Sequence, residues 1–173
     1  MEPTVSIIEE SGKRIVLIDG IQFKGKRSIN WDDVRQHARK YVGQSFVITE
    51  SGDTIHIQSD FPDEYTGSKY THRLHGTAAK AKANAMAGIP ELIQTAVGRH
   101  FRENIGEKHL RNAKYGWYRY DAWFRLPVYS EIGEVERYNT FHASLLIRHS
   151  SDEKMYLYDV IDIKKETSNP FES

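Results

Sequence analysis

The stretch that decides the fold runs Trp117-Tyr118-Arg119-Tyr120-Asp121-Ala122-Trp123-Phe124-Arg125-Leu126-Pro127-Val128. Its character changes at every second residue, the period of a strand with one buried face. Ser130 to Glu134 then carries Gly133 and reads as a turn. Glu136 to His149 alternates again, Ser150 to Lys154 turns, and Met155 to Lys165 is rich in Tyr, Val and Ile. Three such runs separated by short turns predict an antiparallel meander over residues 117–165. One face of the first two strands holds Tyr120, Ala122, Phe124, Leu126 and Val128 with Phe141, Ala143, Leu145 and Ile147. That face is expected to pack under helices. The tail from Thr167 to Ser173, with Pro170, reads as frayed.

Working outward, the segment before the meander reads as helical. Thr77 is placed to cap a helix from Ala78 to Ala87, and Pro90 opens a second one that buries Leu92, Ile93, Ala96 and Val97. Gly98 to Lys114 is basic and reads as part helix, part loop, and Asp60 to Lys69 as a loop punctuated by Pro62 and Gly67. Nearer the N-terminus, Thr4–Glu9 and Arg14–Asp19 form a hairpin whose turn contains Gly12. Asn30 caps a helix from Trp31 to about Val42, with Trp31, Val34, Ala38 and Tyr41 as its buried stripe. A second hairpin, Ser45–Thr49 and Thr54–Gln58, repeats the Glu-Ser-Gly tip of the first. The expected class is α+β: an N-terminal ββαββ lobe over residues 1–60, then helices and an antiparallel meander over 61–173, packed as one compact unit.

Composition narrows the function classes. The chain has 173 residues, 39% hydrophobic and 28% charged, which suffices for a buried core. Its 24 basic and 24 acidic residues cancel, so a globally basic nucleic-acid binder is not indicated. The charge is uneven, however. Glu50 to Tyr65 carries five acids and no Lys or Arg, whereas Arg99 to Arg119 carries six Lys or Arg against two acids, a hint of an anionic partner for the second segment. There is no cysteine, which removes disulfides, thiolate metal sites and cysteine nucleophiles. No apolar run nears the roughly 18 residues of a membrane helix, and the first residues lack the pattern of a signal peptide. The expected setting is cytoplasmic, without membrane contact.

The chemistry-bearing residues gather on the other face of the meander: Trp117, Arg119, Asp121, Trp123 and Arg125, then Tyr138, Thr140, His142, Ser144, Leu146 and Arg148. Arginine pairs with phosphate bidentately, and aromatic rings stack on unpaired bases. Histidine can pass a proton near neutral pH. RNA cleavage through the 2′-hydroxyl needs a base, an acid and cations, and no metal. The catalytic candidates are therefore His142, Tyr138 and Arg148; the substrate-binding candidates are Arg119, Arg125 and Trp123, with Lys80 and Lys165 as second-line cations. A solvated face with cross-strand pairs is the plainer alternative. Lys80 and Lys82 point apart on a helix, so one of them at most reaches a phosphate, and surface lysines are the default. His72 and His75 lack zinc-helix spacing, and Asp60, Asp63 and Glu64 lack the calcium-loop pattern, so no metal and no cofactor is expected. Phosphate-binding glycine loops and nucleophile triads are absent as well.

Several motifs occur in a familiar order: Gly67-Ser68-Lys69-Tyr70, Ala81-Lys82-Ala83-Asn84, Trp117-Tyr118-Arg119-Tyr120-Asp121, Glu136-Arg137-Tyr138-Asn139, Leu146-Ile147-Arg148-His149, Tyr156-Leu157-Tyr158-Asp159 and Ile163-Lys164-Lys165-Glu166-Thr167-Ser168. Over about residues 60 to 170 the chain resembles the large polyvalent protein-associated domains of phages and integrative conjugative elements. The resemblance implies a mobile-element protein with the fold of barnase, EndoU, colicin E5 and RelE, in which metal-independent RNase residues sit on an open sheet face. It carries over no catalytic set residue by residue. The expectation is an RNase-like domain acting on RNA; the alternative is a non-catalytic binder of a host defence protein or nucleoprotein complex. The oligomeric state is left open.

Overall fold

The computed structural model describes residues 2–25, 28–102 and 115–170. The expected α+β class is observed. Strands β1 (Thr4–Glu10), β2 (Lys13–Asp19), β3 (Ser45–Val47), β4 (Thr54–His56), β5 (Val97–Arg102), β6 (Trp117–Tyr129), β7 (Val135–His149) and β8 (Met155–Pro170) form one sheet. Helices α1 (Trp31–Ala38), α2 (Phe61–Gly67), α3 (Lys69–His72), α4 (Gly76–Ala85) and α5 (Ile89–Thr95) accompany it. Among the described residues, no helix is long and apolar enough to cross a membrane.

The sheet order is β1-β2-β6-β7-β8-β4-β3, and β6–β7–β8 is an antiparallel meander. Alternation builds it: Tyr120, Ala122, Phe124 and Leu126 are buried, whereas Arg119, Asp121, Trp123 and Arg125 between them are partly exposed. Phe124 stacks on Phe141 across the strands, with ring centroids 5.2 Å apart. Each fully buried aliphatic or aromatic chain of this layer contributes about 1.5–3 kcal/mol relative to exposure.

Both N-terminal hairpins join this sheet, one at each side. β2 runs parallel to the C-terminal half of β6, and β4 runs parallel to the start of β8. β5 takes the same edge of β6 as β2, antiparallel and further toward the start of β6. The first hairpin closes through Ser11 and Gly12, whose φ values of 53° and 78° suit a two-residue type I′ turn. Asn30 caps α1 through its side chain, which accepts from Asp32 N at 3.1 Å.

Several boundaries differ from expectation. The stretch Asp60 to Lys69, expected as a loop, instead contains α2 and the start of α3, because Pro62 occupies the first turn of a helix, where its missing N–H costs nothing. Phe61 and Tyr65 of α2 are fully buried. α4 begins at Gly76, with His75 rather than Thr77 in the capping position. Val97 opens a strand rather than closing a helix, and β8 continues to pair with β7 as far as Pro170. Gly88 sits where a Cβ would lie 3.1 Å from both Val16 Cγ1 and Ile18 Cδ1, so a side chain there would make these β2 side chains give way by a few tenths of an ångström. Residues 103–114, the larger part of the basic segment, lie outside the described residues.

Two polar side chains of α4 are buried. Lys82 is fully buried and donates to Asp159 Oδ1 of β8 and to Thr71 Oγ1, both at 2.6 Å; Ser68 Oγ donates to the other Asp159 oxygen at 2.6 Å. It is not the surface lysine its charge predicts. Asn84 accepts from the amides of Gln22 and Phe23 and donates to the carbonyls of Phe23 and Lys80, pinning the segment after β2 to α4.

Candidate functional site

Cross-strand register brings the polar face together. Trp123 lies opposite His142, Asp121 opposite Ser144, Arg125 opposite Thr140 and Arg119 opposite Leu146. At the centre His142 Nε2 and Asp121 Oδ1 are 2.8 Å apart, and both side chains are about one-third exposed or less (27% and 32%). The carboxylate fixes the ring's orientation and leaves Nδ1 as the nitrogen able to exchange a proton with a ligand. The rings of Trp123 and His142 lie 5.2 Å apart, tilted by 42°. Lys13 Nζ sits 4.8 Å over the Trp123 ring, and Trp123 Nε1 donates to Glu166 Oε1 at 3.0 Å. By register, Lys164 falls opposite His142 on its other side.

The arginines flank this centre, each tied to an acid. Arg119 pairs with Asp162 at 3.1 Å; the pairing is set by a bulge in β8, where Asp162 takes φ 53°. Arg125 pairs with Glu10 at 2.8 Å and donates from Nε to Thr140 Oγ1 at 2.8 Å. The hydrogen bond and charge of Arg125 hold the Glu10 carboxyl below its ordinary range.

The structure does not bring the other candidates into this group. Arg148 is 3% exposed, with Nη1 on Asp60 at 2.9 Å, Nε on Ser150 Oγ at 3.1 Å and Nη2 on Gln58 Oε1. It fastens the segment after β4 to the sheet. Arg148 and Tyr138 stand about 20 Å and about 13 Å from His142 along β7, at about 3.3 Å per residue. One phosphate cannot touch all three, so the catalytic set His142, Tyr138 and Arg148 separates. Burial pushes the Tyr138 phenol up from its ordinary value. Lys165 pairs with Phe141, whose side chain faces the core, so register gives Lys165 the opposite face from His142. Lys80 lies on α4, on the helix side of the sheet.

Near Arg148 the polar face is covered. Leu146, Tyr158 and Ile161 form a small buried cluster against Trp117 and Tyr70, with the rings of Trp117 and Tyr158 meeting edge-on at 5.1 Å. The open part therefore begins beyond Leu146; its partly exposed side chains are Arg119, Asp121, Trp123 and Arg125 of β6 and His142 of β7, with Thr140 and Ser144 buried beside His142.

Asp121, Lys13 and Glu166 belong to this site, yet sequence reasoning did not single them out. Strand alternation placed Asp121 on the right face, but its distance from His142 depends on register, which alternation alone leaves open. The uneven charge also has an internal answer. Asp53, from the acidic stretch, pairs with Arg99 at 3.2 Å and accepts from Tyr120 OH at 2.6 Å, while Glu50 accepts from Gly98 N. Among the described residues, no group of three His, Asp or Glu side chains is arranged to hold a metal ion.

Comparison with family models, with curated proteins and with solved structures returns no match. Three of the motifs that carry the resemblance noted above, those containing Ser68, Lys82 and Asp159, meet in the buried ion-pair network behind the sheet. Lys82 and Asp159 have no exposed surface and Ser68 little, so a substrate does not reach the ion pair and these three residues act on the fold.

Proposed function

We propose that this chain is a phage or conjugative-element domain that acts on RNA through the open face of its sheet, as a metal-independent RNase-like domain. The observation that supports this reading is the His142–Asp121 pair beside Trp123, on the face that the helices leave uncovered. In this reading a base stacks on Trp123, the scissile phosphate lies between Arg125 and Lys164, and Arg119, six residues from Arg125 along β6, meets a neighbouring phosphate. His142 Nδ1 takes the proton of the 2′-hydroxyl as its oxygen attacks the adjacent phosphorus. The bond to the 5′-oxygen breaks, that oxygen takes a proton from solvent, and a 2′,3′-cyclic phosphate remains. A positioned general base contributes about 10²–10⁴-fold. Purified protein incubated with tRNA and mRNA, with and without EDTA, should give EDTA-resistant cleavage, and His142→Ala should slow it about 100-fold or more. Absence of cleavage overturns the enzymatic reading, and an unchanged rate in His142→Ala removes the role given to that residue.

A second reading is favoured by one specific observation. Arg119, Arg125 and Lys13 are each paired with a carboxylate, so the face is nearly neutral in charge. A neutral face with a partly exposed tryptophan suits a non-catalytic binder of a host defence protein or nucleoprotein complex. Capture of one defined partner, lost in Trp123→Ala and without RNA turnover, would favour it.

A further inference from the structure

A bulge in β5 decides which of its residues reaches the open face. Val97 pairs with Asp121, whereas His100 pairs with Arg119, so one extra residue is inserted between them. Without it Arg99 would stand opposite Arg119, and His100 opposite Tyr118, whose side chain packs on the core. Instead Arg99 turns to the helix side, where it pairs with Asp53 and lies 5.2 Å over the Tyr118 ring. His100 takes the place beside Arg119. Gly98 carries the bulge at φ 69°, a conformation that favours glycine. A Cβ there would lie 3.1 Å from Asp121 Oδ2 and 4.0 Å from His100 Nε2. The His100 ring and the Asp121 oxygen that His142 does not use therefore approach one point.

Two donors are thereby left at the end of β6 away from Trp123. His100 is exposed and has no hydrogen-bond partner among the described residues. In either tautomer its ring offers an N–H. Arg119 donates from Nη1 to Asp162, an exposed pairing that contributes little, and Nη2 has no hydrogen-bond partner among the described residues. Side chains directly opposite on one face of an antiparallel pair stand about 4.5–5.5 Å apart at Cβ, so one phosphate can touch both. The pair lies about 13 Å along β6 from Trp123, at about 3.3 Å per residue. Because β2 and β5 share one edge of β6, Lys13 over Trp123 and His100 beside Arg119 mark the two ends of a track along that strand.

We propose that His100 and Arg119 form a second phosphate subsite, so that the ligand of the open face is single-stranded RNA with phosphates both there and beside His142. This rests on the reading of the face as an RNA site. A base stacked on Trp123 has left its duplex, so paired RNA does not fit. A dinucleotide carries one internucleotide phosphate and fills only one of the two positions. A longer strand fills both.

The test is fluorescence anisotropy of the full chain with labelled 2′-O-methyl oligouridylates of two, six and twelve nucleotides, and with the twelve-mer annealed to its complement. These lack the attacking hydroxyl, so binding is read apart from cleavage. The six-mer should bind about tenfold or more tighter than the dinucleotide, as a further charge-assisted contact supplies. The duplex should bind about tenfold or more weaker than the single-stranded twelve-mer, for want of a base to stack. His100→Ala, an exposed change, should weaken the six-mer about tenfold and leave the dinucleotide unchanged, and His100→Arg should restore the six-mer. The proposal is overturned if the six-mer binds no tighter than the dinucleotide or if the duplex binds as tightly as the single strand. It is equally overturned if His100→Ala leaves the six-mer unchanged or weakens the dinucleotide as much. The expected binding pattern without cleavage of unmodified RNA would support the subsite and remove the catalytic reading alone. Binding of no oligonucleotide would remove both.

Discussion

Replacing Lys82 by methionine removes one charge from a site with no solvent. Its ammonium donates to Asp159 Oδ1 and Thr71 Oγ1 and lies 4.8 Å over the ring of Tyr65. Burial pushes the Lys82 ammonium down and the Asp159 carboxyl up from their ordinary values, and the ion pair opposes both shifts. Methionine fills most of the same space, so the cavity term is small. The dominant cost is a carboxylate left with two donors, Ser68 Oγ and Val160 N, in place of three. Breaking a buried pair in this way costs about 3–5 kcal/mol. At about 2–4 °C per kcal/mol for a chain of this size, the melting temperature should fall by roughly 6–20 °C. Asp159 in the variant should fold protonated. Its folded value then lies above its unfolded one, so the deficit against the wild type is smallest at acid pH. It grows as the pH rises from the unfolded value through the raised folded one. Lys82→Met combined with Asp159→Leu should recover most of the loss, because no charge is then stranded. Urea denaturation followed by circular dichroism measures all three variants. A loss below about 1 kcal/mol in Lys82→Met, or a double variant no better than the single one, would refute the assignment of this pair as a coupled buried charge pair.

Asn84→Ala should cost about 2–3 kcal/mol, since it strips partners from several backbone groups at once, and amide exchange at Gln22 and Phe23 should accelerate. Arg148→Met should destabilise by about 1–3 kcal/mol in urea, chiefly by orphaning Gln58 and Ser150, and should leave any RNA cleavage rate unchanged. Burial, then the charge of Lys40, holds the His37 imidazole below its ordinary value, so the unfolded chain binds more protons. Stability from this group is complete above the unfolded value near pH 6.5 and is lost as pH falls through the depressed folded value. Melting curves of His37→Leu should therefore show a shallower loss between about pH 7 and 5 than the wild type.

The meander was legible because a half-exposed antiparallel sheet writes its pleat into the chain, and Tyr120 to Leu126 carries that period cleanly. The first hairpin was legible because Gly12 supplies a backbone conformation that few residues tolerate. What stayed hidden was non-local. Parallel docking of β2 on β6 leaves no turn between the partners, so nothing near Ile15 points to Trp123. Lys82 was read as a surface residue because its burial depends on Asp159, 77 positions away. α2 was missed because Pro62 breaks a helix only from its third or fourth residue onward, and here it stands at the start. At the open face, alternation chose the side but not the spacing. It grouped Tyr138, His142 and Arg148, which share a face yet lie on it like beads several residues apart.

The attachment of one early hairpin to each flank of a late meander also has a consequence during synthesis. β2 leaves the ribosome well before Trp123 exists, and β4 leaves well before Met155. At about 5–20 residues per second, β2 waits roughly five to twenty seconds for the strand it will pair with. Over that interval its unpaired edge, with Ile15, Val16 and Ile18 uncovered, can join any other strand within reach. Slower translation through residues 20–116 should therefore lower the soluble yield without changing a single contact of the finished fold.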